Sequence, residues 1–382
     1  KAIFIAFAAI VLCLHNSVTA QVNVTKASAE RLTKTVEIDV ASTLEQQAGL
    51  YGSEMIADKM PVAEVHASTI EEIEGGIVTA WFGGAEEGAY DVVIWLSRNE
   101  GNGWSKPSKV ADGVESARRV QFPCWNPVLF RHSDSTLRLF YKVGPNPGRW
   151  WGMMKKSTDN GLTWSKPIRL PNGYVGPVKN KPIELANGTL LCGSSLEDAG
   201  WRIQMERYVQ NRYWNKTKSL NSSLDFAAIQ PTLLAYPDGT IQALCRSKSG
   251  RLTDIWSSDG GKTWTRMRRT QLPNPNAGAD GTVLTDGRAL LVYNHTRRGR
   301  SPLNVSISND GKTWEAALVL ENQPEVRLGD ANAEVLSLSE DGRSLRVMVP
   351  AHDAGLVDLV VETNSDTLTQ EGAFIYVEEL TL

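Results

Sequence analysis

The sequence has few cysteines and lacks the short motifs that mark common metal, nucleotide or redox sites. Four cysteines occur in 382 residues, and only Cys124, Cys192 and Cys245 lie outside the apolar N-terminal segment. They are too few and too far apart for a disulfide scaffold. Each lies in an apolar, strand-like run, so we predict three buried thiols. The patterns CxxC, HExxH, GxGxxG and the P-loop are missing, and we therefore expect no metal site and no cofactor.

The sequence also has little net charge and few long apolar runs. The formal net charge of -3 argues against nucleic-acid binding, which needs a basic face. Residues 1–20, KAIFIAFAAIVLCLHNSVTA, combine a lysine, an apolar run and small residues before a cleavage point, which predicts a secretory signal peptide. No other stretch reaches the roughly 18 apolar residues of a membrane span. We expect a secreted or periplasmic monomer without a membrane span, with residues 21–382 forming a single domain.

One eight-residue pattern is repeated along the chain. SSDGGKTW at 257–264 is nearly identical to STDNGLTW at 157–164, and SNDGKTW at 308–314 and SRNEGNGW at 97–104 are weaker copies. The segment RYVQNRYW keeps only the final tryptophan. The tryptophans lie at 104, 164, 214, 264 and 314, at intervals of 60, 50, 50 and 50 residues. A period of about fifty residues is typical of solenoids and propellers.

A second repeat, out of phase with the first, predicts the type of fold. Turn residues followed by apolar residues recur six times, as in DGTIQALCR and DGRALLVYN. Each unit contains four short strand signals, for example IQPTLLAY, TIQALCR, LTDIWSS and TRMRRTQL. We therefore predict an all-β, six-bladed β-propeller of four-stranded antiparallel blades, in which radial closure removes exposed sheet edges. The segment KTVEIDV near the N-terminus is expected to supply a strand that closes the ring.

The eight-residue pattern itself indicates a structural role in a turn. Its Asp and Ser/Thr oxygens can accept hydrogen bonds from backbone N–H groups, and its glycine permits a tight bend. Its tryptophan is expected to pack between neighbouring blades. A single carboxylate in each copy makes calcium binding a weak alternative, because calcium takes several oxygen ligands.

The copies at 157–164 and 257–264 resemble the Asp boxes of sialidases and of the wider BNR-repeat, sialidase-like proteins. Stretches such as WFGGAEEGAYDVVIWLSR, FPCWNP and YNHTRRGRSPLNV are similar to those of a sialidase-like branch of that family. The resemblance implies a six-bladed propeller with Asp-box turns. It also implies a glycoside hydrolase that removes terminal acidic sugars of the sialic acid type from glycans.

The blade pattern locates a candidate site without the resemblance. If the boxes join the third and fourth strands, the first strands start and the second strands end on the opposite face. That face collects polar residues from all six blades, which is the usual arrangement around a ligand in a radial fold. The residues are His66, Glu86, Glu87 and Asp91; Asn126, Tyr141 and Lys142; Asn180, Lys181, Glu197 and Asp198; Gln230, Arg246 and Lys248; Asp280, His295, Arg297, Arg298 and Arg300; and Asn332, Glu334, His352 and Asp353.

The resemblance assigns roles to some of these residues. Sialidases bind the sugar carboxylate with three arginines, donate a proton from an Asp and use a Tyr nucleophile assisted by a Glu. Arg246 matches one family arginine, and Arg300 or Arg298 matches another; the planar guanidinium suits a carboxylate. His66 stands at the family's first arginine motif, and Gln230 stands where the assisting Glu is expected. The last blade, RLGDANAEVLSLSEDG, has no tyrosine.

These departures lead to an atypical catalytic set. We expect an exo-acting glycosidase of anionic glycans in which Asp91 or Glu86 is the general acid. Tyr141 is a candidate substitute nucleophile. The residues expected to hold the substrate are Arg246, Arg298, Arg300, Asn126, Lys142, Lys181 and Gln230.

Two other functions fit the same residues. Propeller enzymes that cleave uronic-acid-containing polysaccharides, by elimination or hydrolysis, use His and Tyr with a cation, which here would be His66, His295, Tyr141 and Arg246. A non-catalytic glycan-binding propeller is the third possibility, with Trp150 and Trp151 stacking on a sugar ring.

Overall fold

The computed structural model contains strands and connecting turns. It describes residues 33–37, 54–57, 59–115, 120–321, 325–328, 331–338, 344–348, 355–362 and 367–376. No helix occurs in these ranges. The predicted signal peptide at 1–20 lies outside the described residues, as do His352 and Asp353 of the last predicted blade.

Five sheets each contain four consecutive antiparallel strands, and they follow the N-terminal strand β1 (Thr33–Glu37). We call these sheets blades 1 to 5; a short hairpin, β6 (Val114–Glu115) and β7 (Val120–Gln121), separates blades 1 and 2. Blade 1 has β2 (Glu64–Ile73), β3 (Gly76–Gly84), β4 (Val93–Asn99) and β5 (Ser108–Ala111). Blade 2 has β8 (Cys124–Arg131), β9 (Leu137–Val143), β10 (Trp151–Ser157) and β11 (Ile168–Arg169). Blade 3 has β12 (Ile183–Glu184), β13 (Leu190–Leu196), β14 (Arg202–Val209) and β15 (Tyr213–Lys216). Blade 4 has β16 (Ala228–Ala235), β17 (Ile241–Ser247), β18 (Arg251–Ser257) and β19 (Arg268–Pro273). Blade 5 has β20 (Asp280–Val283), β21 (Ala289–Asn294), β22 (Leu303–Ser308) and β23 (Glu315–Glu321).

The last sheet has six strands instead of four. It contains β24 (Glu325–Leu328), β25 (Ala331–Leu338), β26 (Ser344–Met348), β27 (Gly355–Glu362) and β28 (Thr367–Tyr376). Its order is β1-β26-β25-β24-β27-β28. The N-terminal strand predicted in KTVEIDV is therefore present as β1, and it pairs antiparallel with β26.

The predicted fold class is confirmed, because four-stranded antiparallel sheets follow one another in the arrangement of a propeller. By its contacts the chain divides into two compact units. One contains Ile56–Arg300 and Val305–Ala316, and the other contains Ser301–Asn304 and the last sheet. The expectation that residues 21–382 form one domain stays a prediction.

The Asp boxes have the hydrogen bonds expected from their sequence. In the box at 157–164, Ser157 Oγ donates to Asp159 Oδ1 at 2.7 Å and accepts from the Gly161 N–H at 2.8 Å. The Thr163 N–H donates to Asp159 Oδ1 at 2.9 Å, and the Trp164 indole donates to the Gly161 carbonyl at 3.1 Å. The boxes at 257–264 and 308–314 repeat these bonds.

The box tryptophans pack at the contacts between successive blades. Trp164 packs on a core cluster that draws buried residues from blades 1 and 2. Trp264 packs on a cluster of blades 3 and 4, and Trp314 on one of blades 4 and 5. The three cysteines of the described chain are free and buried, as predicted. Burial of apolar side chains between blades therefore supplies the core that a single four-stranded sheet lacks.

Candidate functional site

The first strands of blades 1, 2 and 4 share a backbone irregularity near their first residues. The pairing register shifts at Ala67 in β2, Asn126 in β8 and Gln230 in β16. These residues have φ values of 49°, 40° and 53°, which residues other than glycine rarely adopt. Such conformations persist where the surroundings hold them, and they concentrate at ligand sites. We call this end of the blades the mouth: the starts of the first strands and the ends of the second strands.

Arg246, near the end of β17, is the best-defined cation of the mouth. Its Nε donates to Asn276 Oδ1 at 3.0 Å and its Nη1 to Gln230 Oε1 at 3.3 Å. Both acceptors are uncharged amide oxygens. Within the described ranges no carboxylate forms an ion pair with this half-buried guanidinium. The side chain is thus positioned by neutral groups while its charge stays available to an anion.

Charged groups from other blades act on the same guanidinium. Burial lowers the pKa of Arg246, and the neighbouring Arg300 guanidinium of blade 5 lowers it further. Glu197 of blade 3 and Glu87 of blade 1 oppose this shift. Arg300, rather than Arg298, is therefore the second arginine that the structure brings towards Arg246. Charged side chains of blades 1, 3 and 5 therefore act on an arginine of blade 4.

An aromatic ring lies close to two cations, one of which is Arg246 itself. The guanidinium carbon of Arg246 lies 5.1 Å from the ring centroid of Trp201, and Lys248 Nζ lies 4.5 Å from it. Cation–π attraction holds both cations near the ring. Burial raises the pKa of the adjacent Glu197 carboxyl, against the opposing influence of Arg246 and of a hydrogen bond with Trp201. The mouth thus holds a carboxyl group whose environment favours its protonated form.

Lys179 adds a further basic group at the start of blade 3. Its φ of 68° is in the left-handed region, and its Nζ donates to Asn180 Oδ1 at 3.0 Å and to the Ala279 carbonyl at 3.4 Å. Burial lowers its pKa, Asp280 raises it and Arg246 lowers it. Lys179 is therefore half-buried and bonded within the mouth.

His66 belongs to a small network in blade 1. Its ring stacks on Phe82 with centroids 5.3 Å apart, and its Nε2 lies 3.3 Å from Glu64 Oε2. The same carboxylate oxygen accepts the Glu87 N–H at 2.9 Å. The hydrogen bond with His66 is the largest cause of the lowered pKa of Glu64. His66 is thus held between an aromatic face and a carboxylate, with part of its ring exposed.

The two predicted general acids lie on the loop that follows β3. Asp91 is exposed, and its two carboxylate oxygens accept the Ala85 N–H at 3.3 and 3.1 Å. Glu86 is also exposed, and its carbonyl accepts the Ala89 N–H at 3.1 Å. The Asp91 carboxylate therefore stabilises the loop to which it belongs, and its role as an acid stays a prediction.

Tyr141 and Lys142 lie in the interior of the blades. Tyr141 is 1% exposed and belongs to the core of blades 1 and 2, where burial raises its pKa. Lys142 is 0% exposed, and burial lowers its pKa to about 7. Its Nζ donates to the Pro177 carbonyl and, at 3.5 Å, to the carbonyl of Asn126. Both side chains are enclosed, and Lys142 ties the Asn126 bulge to the segment that enters blade 3.

Lys181, a predicted binding residue, is paired with a carboxylate of blade 1. Its Nζ forms an ion pair with Glu71 of β2. Glu71 lies seven residues beyond Glu64, or about 23 Å along an extended strand. The charge of Lys181 is therefore partnered near the opposite end of β2.

Blade 5 places three predicted residues on one exposed loop. His295, Arg298 and Arg300 are all exposed. The hydroxyl of Tyr293, a buried residue of β21, contacts His295 Nδ1, and the two rings are 5.5 Å apart in an edge arrangement. The Arg298 N–H donates to Thr296 Oγ1 at 3.3 Å.

Trp150 and Trp151 pack against other rings. Trp150 meets Trp125 edge-on at 6.2 Å, and Trp151 meets Phe122 edge-on at 5.4 Å. The Arg169 guanidinium lies 4.5 Å from the Trp151 ring. Both tryptophans also pack on the core of blades 1 and 2, so their contacts are structural.

Sequence reasoning missed two groups of the mouth. Trp201 follows Glu197 and Asp198 in the loop after β13, so the signal was an aromatic residue in a loop already identified as part of this face. Asn276 lies between β19 and β20, in a stretch that neither a strand end nor an Asp box marks. In the part of the chain that the structure describes, no three His, Cys, Asp or Glu side chains are grouped so as to hold a metal ion. The same ranges contain no helix long and apolar enough to cross a membrane.

Comparisons with solved structures give sialidase propellers as relatives in fold. The Hadza microbial sialidase Hz136 is 16% identical with a TM-score of 0.57, over 78% of this chain and 63% of that one. The NanB sialidase of Streptococcus pneumoniae is 12% identical with a TM-score of 0.56, over 79% and 69%. The intramolecular trans-sialidase of Ruminococcus gnavus is 12% identical with a TM-score of 0.53, over 79% and 90%. The chain thus spans less than two thirds of the Hadza sialidase.

Sequence comparison gives the family directly. No curated protein matches the chain. Residues 75–353 match the BNR repeat-like domain, which is most of the chain and includes the Asp boxes at 157–164, 257–264 and 308–314. The protein therefore belongs to the BNR repeat-like family, and its fold is that of the sialidase-like propellers.

Proposed function

We propose that the protein is an exo-acting glycoside hydrolase that removes terminal acidic sugars of the sialic acid type from glycans. The observation that carries the proposal is Arg246, a half-buried guanidinium held by the neutral oxygens of Gln230 and Asn276. A cation left without a carboxylate partner in a largely preformed site suits an anionic ligand.

Arg246 and Arg300 bind the sugar carboxylate in this proposal. Burial lowers the pKa of Arg246, and repulsion between the two guanidinium groups lowers it further. A bound carboxylate relieves that repulsion and receives charge-assisted hydrogen bonds. Trp201 keeps Arg246 and Lys248 in place through its ring. Substrate binding is therefore favoured by electrostatics that exist before the substrate arrives.

Proton transfer requires a carboxyl group that is protonated near working pH. Glu197 suits this role because burial raises its pKa. In the proposed step Glu197 gives its proton to the glycosidic oxygen, the bond from that oxygen to the anomeric carbon breaks, and water adds to the carbon. Asp91 or Glu86 on the blade 1 loop accepts the proton that water loses. The reverse assignment, with Asp91 or Glu86 as the acid, is the alternative expected from the sequence.

The cellular setting is part of the proposal. Residues 1–20 have the pattern of a secretory signal peptide. Glycans with terminal acidic sugars are met outside the cytoplasm, so we assign the protein to a secreted or periplasmic location, acting as a monomer.

The test is release of free sugar from a fluorogenic sialoside. We expect turnover by the unmodified protein and a loss of about 10- to 100-fold in kcat/KM for Arg246→Ala, since a charge-assisted contact is removed. Arg288→Ala is the matched control, because Arg288 is exposed and pairs with Asp286 in the turn that precedes β21. Turnover that is equal in Arg246→Ala and Arg288→Ala would exclude the assigned site.

A second candidate is a His/Tyr-based lyase or rhamnosidase acting on uronic-acid-containing polysaccharide. The contact between the Tyr293 hydroxyl and His295 Nδ1 favours it, because a paired His and Tyr can move a proton. Absorbance of an unsaturated uronate, or rhamnose release, with no sialic acid release would favour this candidate. Glycan binding without any turnover would instead indicate a non-catalytic glycan-binding propeller.

A further inference from the structure

The main chain of Gln230 is held by side chains of another blade. The pairing of β16 with β17 shifts between Ile229 and Thr232, and Gln230 lies within this irregularity. Its N–H donates to Ser195 Oγ at 2.7 Å, and its carbonyl accepts the side-chain N–H of Asn180 at 3.0 Å. Ser195 lies on β13 of blade 3, and Asn180 lies just before β12 of the same blade. Blade 3 therefore supplies hydrogen bonds to both polar main-chain groups of this bulge residue.

The side chains of Ser195 and Asn180 are enclosed. Ser195 is 0% exposed and Asn180 is 1% exposed. Asn180 Oδ1 accepts the Lys179 ammonium group at 3.0 Å, and the Asn180 N–H donates to the Val178 carbonyl at 2.8 Å. A buried polar group keeps its hydrogen bonds, because the loss of one partner leaves a donor or acceptor unsatisfied. The two contacts to Gln230 are thus fixed features of the folded chain.

Close packing of blades 3 and 4 brings these side chains within reach of Gln230. A Cβ atom on Gly193 of β13 would come within 2.6 Å of Cγ of Pro231, the residue that follows Gln230. The missing side chain at 193 therefore lets the two strands approach each other. Gly193 and Ser195 are two residues apart, so they lie on the same face of β13. The approach at Gly193 consequently places the Ser195 hydroxyl beside the bulge.

The main-chain conformation of Gln230 decides where its amide points. Its φ of 53° is one that residues other than glycine rarely adopt, and such a conformation persists only where the surroundings hold it. Bulges set the direction of the side chains that they carry. In the extended conformation of a regular strand residue, the side chain would leave its place 3.3 Å from Nη1 of Arg246. The contact with Arg246 therefore depends on what holds the main chain.

We propose that Ser195 and Asn180 are positioning residues for the anion site of the mouth. They hold the main chain of Gln230 so that its amide orients Arg246 before a ligand binds. This inference rests on the proposed function, in which Arg246 binds the sugar carboxylate. A guanidinium that is oriented in advance loses less conformational freedom on binding, so the affinity for an anionic sugar is higher than with a mobile arginine.

Isothermal titration calorimetry with a sialic acid methyl glycoside tests the role of the Ser195 hydroxyl. Ser195→Ala should weaken binding by about tenfold, since a hydrogen bond that holds the bulge is removed. Ser194→Ala is the matched control and should keep the affinity: Ser194 is also 0% exposed on β13, but its hydroxyl donates to the Gly176 carbonyl at 2.6 Å. No loss in Ser195→Ala, or an equal loss in both variants, would overturn the proposal.

A double-mutant cycle separates positioning from packing. In a Gln230→Ala background the amide that orients Arg246 is absent, so adding Ser195→Ala should cause no further loss of affinity. Asn180→Ala should give the same pattern as Ser195→Ala. Urea unfolding, in contrast, should show the lost hydrogen bond in both backgrounds. A further tenfold loss of affinity in the Gln230→Ala background would mean that Ser195 acts independently of Gln230, and would contradict the proposal.

A crystal structure of Ser195→Ala makes the test independent of the sugar. If the unmodified protein does not bind the glycoside, the proposed function is wrong, but the position of Arg246 can still be measured. We expect Gln230 Oε1 to lie beyond hydrogen-bond distance of Arg246 Nη1 in Ser195→Ala and to keep its contact in Ser194→Ala. Retention of the contact in Ser195→Ala would overturn the positioning role whatever the ligand of the mouth.

Discussion

Nη1 of Arg246 lies 3.3 Å from Oε1 of Gln230, in the left-handed bulge at the start of blade 4. The family resemblance implies a glutamate at this position. A glutamate would form an ion pair with the arginine, whereas the glutamine amide orients the arginine without adding a negative charge. The pair therefore makes the mouth more electropositive than a Glu–Arg pair would.

We predict that Gln230→Glu weakens binding of an anionic sugar. The new carboxylate would form an ion pair with Arg246 and repel the ligand carboxylate, so the affinity for a sialic acid methyl glycoside should fall by about tenfold or more. Isothermal titration calorimetry checks this. Gln271→Glu, an exposed position on β19, is the control for a change in net charge. Unchanged or tighter binding in Gln230→Glu would argue against the anion site.

Glu197 should set the alkaline limit of any hydrolase activity. Its carboxyl must be protonated to act as the acid, and burial raises its pKa above the ordinary 4.5. Activity should therefore fall as pH rises through that raised pKa, and this limb should disappear in Glu197→Gln along with most of kcat. A pH–rate profile of kcat/KM measures both effects. Asp198→Asn, one residue along the same loop, should keep the alkaline limb; an unchanged limb in Glu197→Gln would move the acid role to Asp91 or Glu86.

Burial of Lys142 should make stability depend on pH above neutrality. Its pKa is about 7 in the folded protein, against an ordinary 10.5. Between these values the unfolded chain binds one more proton than the folded chain, so the free energy of unfolding should rise with pH by about 1.4 kcal/mol per unit. Below pH 7 Lys142 is protonated in both states, so its contribution to the free energy of unfolding no longer changes with pH. Urea unfolding of Lys142→Met should lack this slope, while Lys166→Met, an exposed control, should keep it.

The Asp boxes should contribute to acid sensitivity. Hydrogen bonds, chiefly those from Thr163, hold the pKa of Asp159 at about 2. The stabilisation they provide is present above the ordinary pKa of 3.8 and is lost as pH falls towards 2. Asp159→Asn should therefore lower the Tm at neutral pH and flatten its fall in acid, as measured by circular dichroism. Asp225→Asn, outside the boxes, should behave as the unmodified protein; the same result for Asp159→Asn would show that the box is dispensable.

The repeat made the fold predictable from sequence. Tryptophans at intervals of about fifty residues, with Trp164, Trp264 and Trp314 in Asp boxes, mark the same turn in different blades. Strand order in blades 1 to 5 then follows from chain order, because each strand pairs with the one that follows it. The N-terminal strand was predictable as well, but the six strands of the last sheet were not, since β24 lies between β25 and β27 and the order no longer follows the chain.

For the site, the sequence predicted the face of the blades on which it lies but not which side chains meet there. Arg246 and Gln230 lie at strand ends whose position follows from the blade pattern, and the structure brings them together. Tyr141 and Lys142 lie at a similar strand end but point into packed interior, because both faces of a blade are covered by neighbours and alternation no longer separates inside from outside. Trp201 reaches Arg246 across the contact between two blades, a proximity that no spacing along the chain encodes.

The bulges at Ala67, Asn126 and Gln230 have a consequence for how this site can be altered. Each bulge is maintained by main-chain pairing on either side of it, so the side chain it presents can change without moving the register of its strand. Glycine, asparagine and aspartate tolerate the required backbone best. A small library of these three residues at the three positions would vary the chemistry of the mouth while preserving the scaffold, which makes the bulges the natural starting points for redesigning specificity.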